Sequence, residues 1–147
     1  MKNIKIYLAG KMGGLTFEES NKWRRDFKDI MDMRYFYCDE NYIIINPNDF
    51  YNFKEPTHKS EKEVMQYDLN HVRGSDIVVV NLSGINTSIG TAIELYTAAQ
   101  LNIPVLAWGT SEEWKNTHPW LKECISRVES NMGDLCEYIF DYYLADC

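Results

Sequence analysis

The 147 residues are 45% apolar, 25% charged and 14% aromatic, a globular composition that argues against extended disorder and favours one domain spanning residues 1–147. Fifteen basic against twenty-two acidic residues leave a net charge of −7. That balance disfavours a groove tracking long nucleic acid, which must neutralise many phosphates, but leaves room for a pocket holding one nucleotide. No apolar run approaches the roughly 18 residues of a membrane helix, and Met1 to Gly10 lacks the apolar region of a signal peptide, so a cytoplasmic protein is expected. Cys38, Cys124, Cys136 and Cys147 form no C-x-x-C pair, and His58, His71 and His118 are scattered. Reduced thiols are expected, and neither a metal nor a cofactor is assigned.

Along the chain, strand pattern alternates with helix pattern. Ile4, Ile6 and Leu8 alternate with other residues and predict a strand, broken by the loop Gly10-Lys11-Met12-Gly13-Gly14. Thr16-Phe17-Glu18-Glu19 reads as a capping box, and Trp23, Phe27, Ile30 and Met31 recur at helical spacing to about Met33. Tyr42 to Asn46 is a short β-rich run ended by Pro47, and Asn46 to Ser60 reads as a polar surface loop. Ser60-Glu61-Lys62-Glu63 is a second capping box, opening a helix to Arg73 with Val64, Met65, Leu69 and Val72 on its buried side. Ile77 to Val80 is continuous β-branched sequence, as in a strand covered on both faces. Ser88 to Leu101 predicts a helix packing through Ala92, Leu95, Ala98 and Ala99, and Pro104 to Trp108 the next strand. Ser111 to Trp120 reads as a helical turn and loop, Ile125 to Val128 as a last strand, and Gly133 to Ala145 as a helix with Leu135, Ile139, Tyr142 and Tyr143 inward. The β-α-β-α-β-α-β order predicts an α/β fold: an open, mainly parallel sheet with helices on both faces, Rossmann- or flavodoxin-like.

In such sheets ligands bind beyond the carboxyl ends of the strands, so the polar residues aimed there carry the interest. Asp68 lies on or beside the apolar stripe formed by Val64, Met65 and Val72; it is either a functional acid or a carboxylate paired at the stripe's margin. Glu94, in the second turn of the Ser88 helix, leans towards the crevice, unless it is an ordinary exposed helix glutamate. Asn86-Thr87-Ser88-Ile89-Gly90-Thr91 offers hydroxyls, a glycine and free N–H groups to a phosphate or carboxylate, although capping by Ser88 alone would explain it. Gly10 to Gly14 matches neither the nucleoside-triphosphate nor the dinucleotide fingerprint; its default is a flexible turn with Lys11 solvated.

Three stretches together resemble a known family: Tyr7-Leu8-Ala9-Gly10, then Tyr67-Asp68-Leu69-Asn70 before Ser75-Asp76-Ile77-Val78, then Ser88-Ile89-Gly90-Thr91-Ala92-Ile93-Glu94-Leu95. They look like the nucleoside 2-deoxyribosyltransferases and equally like their relatives, the 2'-deoxynucleoside 5'-phosphate N-hydrolases. The similarity runs from about Ile4 to Trp108 and fades beyond it. The resemblance implies that Glu94 is the nucleophile at the anomeric carbon, that Asp68 handles the leaving base and its proton, and that Tyr7 steadies Glu94. It also implies substrate contacts from Gly10, Lys11, Met12, Asp76, Ser88 and Gly90. Ser88 stands where the transferases usually carry an aspartate and the nucleotide hydrolases a phosphate-binding serine, which points towards a 5'-monophosphate. A homo-oligomer is implied, with the site completed by a neighbouring copy near Thr117-His118-Pro119-Trp120; His118 itself reads as a surface or packed histidine.

Cleaving an N-glycosidic bond builds positive character on the sugar, which an adjacent carboxylate stabilises and can trap, while the departing base needs a second acid. The expected activity is therefore transfer of a deoxyribosyl group from a nucleoside, or its 5'-monophosphate, to another base. With water as acceptor the same residues make a hydrolase. A non-catalytic nucleotide-binding module is the alternative of another class, and retention of Tyr7, Asp68 and Glu94 counts against it.

Overall fold

Alternating apolar side chains on Ile4–Ala9 (β1) and an unbroken β-branched run on Ile77–Asn81 (β3) place these two strands side by side at the centre of the sheet, with Ile6 opposite Ile77 and Ala9 opposite Val80. The structure is a computed structural model and describes residues 3–35, 42–51 and 57–144. Tyr42–Ile45 (β2) pairs on the outer side of β1, while Val105–Trp108 (β4) and Arg127–Glu129 (β5) continue beyond β3. All five strands are parallel, in the order β2-β1-β3-β4-β5. The expected open α/β sheet is therefore the one observed.

The helices are Phe17–Tyr35 (α1), Glu61–Arg73 (α2), Ile89–Gln100 (α3), Ser111–Asn116 (α4), Pro119–Glu123 (α5) and Met132–Tyr142 (α6). Side chains of a strand alternate between faces, so the sheet sorts its core into two layers. Ile6, Leu8, Ile77, Val79 and Leu106 pack on Trp23, Phe27 and Met31 of α1 and on Leu135 and Ile139 of α6. Tyr7, Ala9, Val78, Val80, Val105 and Ala107 face the other way, onto Val72 of α2 and Leu95 and Ala98 of α3. This parity sends Tyr7 into the layer that holds Asp68 and Glu94. The Ser60 capping box closes as expected: Ser60 Oγ accepts from the Glu63 N–H at 3.2 Å, and Glu63 Oε2 accepts from the Ser60 N–H at 3.2 Å.

Several expectations need correction. The polar stretch after β2 is not a plain surface loop: Pro47–Asp49 forms a 3-10 turn, and Asn46 and Asn48 are buried, both amides donating to Asn21 Oδ1, at 2.8 and 3.1 Å. Ser111 to Trp120 resolves into part of two short helices, the first opened by a Thr110–Glu113 capping box. The last strand begins two residues later than expected because Ile125 and Ser126 serve as its approach, the Ser126 N–H donating to Val105 O at 2.8 Å. Met65 is half-exposed and Tyr142 is 70% exposed rather than packed. Cys124 and Cys136 are free thiols, the second buried in the core. Cys38, Cys147 and the Ala145 end of the last predicted helix lie outside the described residues.

Candidate active site

The chain turns one way from β1 to β2 and the other way from β3 to β4, so the carboxyl ends of β1 and β3 flank the switch point where such sheets bind ligands. A cavity of about 580 Å³ opens there. Its walls come from the loop after β1 (Gly10 to Gly13), from α2 (Val64, Met65, Asp68 and Leu69) and from the start of α3 (Ser88, Gly90 and Glu94). Met65 is exposed because it lines this cavity instead of the sheet.

Glu94 is the best-determined group. Tyr7, with no exposed surface, donates its phenolic O–H to Glu94 Oε2, so a strand residue fixes the rotamer of a helix carboxylate 87 positions away. Burial, reinforced by the nearby Asp68 charge, raises the Glu94 carboxyl from 4.5 to about 7; the Tyr7 bond and the Arg24 cation oppose the rise. The Tyr7 phenol is itself raised, first by burial and then by Glu94, and stays a donor at any physiological pH. Asp68, partly buried across the cavity, is also raised, mainly by burial, against the Tyr51 hydrogen bond and the His71, His58 and Arg24 charges. The two carboxyls are thus close enough to oppose each other's ionisation.

The second expected region is the start of α3. Ser88 caps the helix, accepting from the Thr91 N–H at 3.4 Å and sharing a 2.7 Å hydrogen bond with the Thr91 hydroxyl. Lys11 is not simply solvated. Its ammonium donates to Thr87 Oγ1 at 2.9 Å, and its stem crosses Gly84, where an added Cβ would meet Lys11 Cδ at 2.7 Å. Gly84 also has φ +69°, a left-handed conformation that glycine adopts without strain. Gly10, Lys11, Met12, Ser88 and Gly90 all line the cavity. Asp76 does not: it precedes β3, at the strand's amino end, where its carboxylate accepts from the Lys5 N–H at 2.9 Å. Its position in the Ser75-Asp76-Ile77-Val78 stretch fixes the entry into β3, away from the crevice. His118 caps α5, its Nδ1 accepting from the Trp120 N–H at 3.1 Å.

Two residues went unnoticed in the sequence. Arg24 is 1% exposed, and its guanidinium donates to the carbonyls of Leu8 (3.4 Å), Gly10 (3.1 Å) and Ser20, tying α1 to the end of β1. The signal was present: Ser20, Arg24, Phe27 and Met31 follow the 4-3-4 spacing of a buried stripe. Burial lowers Arg24 only to about 10, so it remains a cation behind the two acids. Gly10 leaves room for Trp23 and Arg24, which press against it: an added Cβ would lie 3.0 Å from Trp23 Cζ2, tight enough that the ring would have to shift. Tyr51 donates its hydroxyl to Asp68 Oδ1, and no periodicity marks it. Among the described residues no cluster of side chains could hold a metal ion, and no helix is long and apolar enough to cross a membrane.

An open parallel sheet whose switch point holds a phenol-pinned glutamate opposite a second acid is an arrangement suited to carboxylate chemistry on a small molecule. The particular family follows from the sequence: the nucleoside 2-deoxyribosyltransferase family model matches residues 6–131, and the chain belongs to that family. No curated protein sequence matches it. The fold is similar to that of the 2-deoxyribosyltransferase of Bacillus psychrosaccharolyticus, with a TM-score of 0.66 at 20% identity over 93% of both chains. It is also similar to a conserved protein from Enterococcus faecalis V583, with a TM-score of 0.73 at 20% identity over 95% of this chain and 99% of that one. The CMP N-glycosidase BcmB of Clostridium botulinum shares the fold at a TM-score of 0.59 and 14% identity, over 95% and 99%. The family is one of glycosyl-transferring enzymes that act on small nucleoside substrates.

Proposed function

We propose that the protein cleaves the N-glycosidic bond of a 2'-deoxynucleoside, or of its 5'-monophosphate, and passes the deoxyribosyl group to another base. The observation that carries this reading is the Tyr7–Glu94 pair facing Asp68 across one cavity. Glu94 attacks the anomeric carbon through the oxygen that Tyr7 does not hold. The bond from that carbon to the base nitrogen breaks, and its electron pair leaves with the base, which takes a proton from Asp68. The product is a glycosyl ester on Glu94. An acceptor base then gives a proton back to Asp68, attacks the same carbon and frees Glu94, so two inversions restore the starting stereochemistry.

A specific contact favours a nucleotide over a nucleoside. The Lys11 ammonium, held at Thr87, lies one residue from Ser88 and the amino end of α3, a combination suited to a 5'-phosphate. With water as acceptor, the same arrangement would release free base and sugar phosphate.

The surface beside the site supports the reading of a homo-oligomer. Ile89 (79% exposed), Tyr96 (59%) and Trp120 (81%) line a second hollow of about 920 Å³ that shares Ser88, Ile89 and Ile93 with the first. Apolar surface of this kind, continuous with the cavity rim, fits a second copy closing the site. The test incubates deoxynucleosides and deoxynucleotides with and without acceptor bases. Base exchange with little free sugar is expected; free base with sugar phosphate would indicate the hydrolase, and no cleavage of any of them would refute the reading.

A further inference from the structure

The segment leading out of β2 is clamped onto α2 by rings. Phe50 stacks on His71 with centroids 4.7 Å apart and an interplanar angle of 3°. Tyr51 meets His58 edge-to-face at 4.9 Å and Tyr67 at 6.3 Å, while Tyr67 meets His71 at 4.8 Å. Tyr67 and His71 are the residues one before and three after Asp68 on α2. These contacts therefore hold the Tyr51 hydroxyl over the acid, and it donates to Asp68 Oδ1. The result repeats the pairing on the opposite wall: each carboxyl has its own tyrosine, Tyr7 from β1 for Glu94 and Tyr51 from the β2–α2 segment for Asp68.

We propose that Tyr51 is a positioning residue that directs the acidic proton of Asp68 onto Oδ2, towards the departing base. The inference rests on the reading of Asp68 as the proton donor. An oxygen that accepts an O–H is a poor place for the carboxyl's own proton, so protonated Asp68 carries it on the other oxygen. When the base takes that proton, the Tyr51 bond stabilises the carboxylate left behind, which makes the proton easier to give.

Other groups act on Asp68 from every side. His71 lies on its own helix, His58 on the segment before it, Arg24 on α1 behind β1, Tyr7 on β1 and Glu94 on α3. The histidines and Arg24 favour the ionised form, as Tyr51 does, and burial opposes all four. Tyr51 remains protonated throughout, its phenol raised by burial and by Asp68.

The test is Tyr51→Phe in the full chain, which keeps the ring contacts and deletes the donor. Two substrates are compared: an ordinary purine deoxynucleoside, and its 7-methylated counterpart, whose cationic base leaves neutral without any proton. On the ordinary substrate kcat should fall roughly 10- to 100-fold with KM little changed, the size expected for losing a hydrogen bond to a charged group. Its alkaline limb should move to higher pH, because the lost bond was lowering the Asp68 pKa. On the methylated substrate the variant should match the unaltered protein within about twofold, since no proton transfer is needed there. Equal losses on both substrates, or no loss on either, would overturn the role of Tyr51 while leaving the proposed function standing. Failure of the unaltered protein to cleave these substrates or their 5'-monophosphates would overturn both.

Discussion

Replacing Glu94 by Gln should abolish turnover and stabilise the protein, and the stabilisation should depend on pH in a definite way. The carboxyl rises from 4.5 in the unfolded chain to about 7 in the folded one, chiefly through burial. A raised acid favours folding when it is neutral, so this contribution is fully present below about pH 4.5 and is lost as pH rises through 7. Ionising Glu94 in the folded state thus costs about 3 kcal/mol once pH exceeds 7, a ceiling because solvent enters through the cavity. Glutamine never pays it, and its Oε1 can still accept from Tyr7. The expected gain over the unaltered protein is about 1 kcal/mol at pH 5.5 and about 3 kcal/mol at pH 8. For a chain of this length the latter corresponds to a rise in Tm of roughly 5–10 °C. Thermal unfolding followed by circular dichroism at the two pH values reads the difference directly, with base release measured on the same samples. A Tm difference that stayed the same at pH 5.5 and pH 8, or a Gln variant that still turned over substrate, would refute the reasoning.

Further outcomes are specific to neighbouring residues. Tyr7→Phe removes a bond that lowers the Glu94 pKa, so the acid limb of kcat/KM, set near pH 7, should move up by about one unit or more in a pH–rate profile. Lys11→Ala should lower kcat/KM for a deoxynucleoside 5'-monophosphate roughly 10-fold while sparing the free nucleoside, and Gly84→Ala, which drives Lys11 from its path, should act the same way in a side-by-side comparison of the two substrates. Tyr96→Asp places a charge on the exposed face of α3 and should shift the protein to monomers in sedimentation, with loss of activity if a second copy closes the site.

The layers of the fold were legible where local chemistry and tertiary packing agree. The β-branched run of β3, the alternation in β1 and the Ser60–Glu63 capping box each read correctly because burial on the sheet and hydrogen bonding at a helix start depend on neighbours in sequence. Apolar periodicity failed in an informative place. Met65 sits on the stripe of α2 as a core residue would, yet that turn of the helix overhangs the cavity, so the pattern recorded a cavity wall and not a packed core. Glu94 and Asp68 were visible as acids on otherwise apolar helical faces. Tyr51 was invisible because its place is set by Phe50 stacking on His71, a contact between a turn and a helix that no periodicity encodes. Lys11 looked like a solvated cation because its partner, Thr87, lies 76 residues away.

The same long-range packing explains how two carboxyls can share one cavity. The proposed chemistry needs Glu94 ionised while Asp68 keeps a proton, yet burial raises the pKa of both. Three devices oppose it. Tyr7 donates to Glu94 and Tyr51 to Asp68, so each acid is tuned by a separate element of the fold. Arg24 acts on both at once from behind β1; among the described residues it forms no ion pair, and its hydrogen bonds go to carbonyls. Those carbonyls place the cation without neutralising it, so its field remains available to the cavity. Removing the arginine would not merely loosen α1 from β1. It would push both acids towards their neutral forms and so lower the share of Glu94 available as the proposed carboxylate nucleophile.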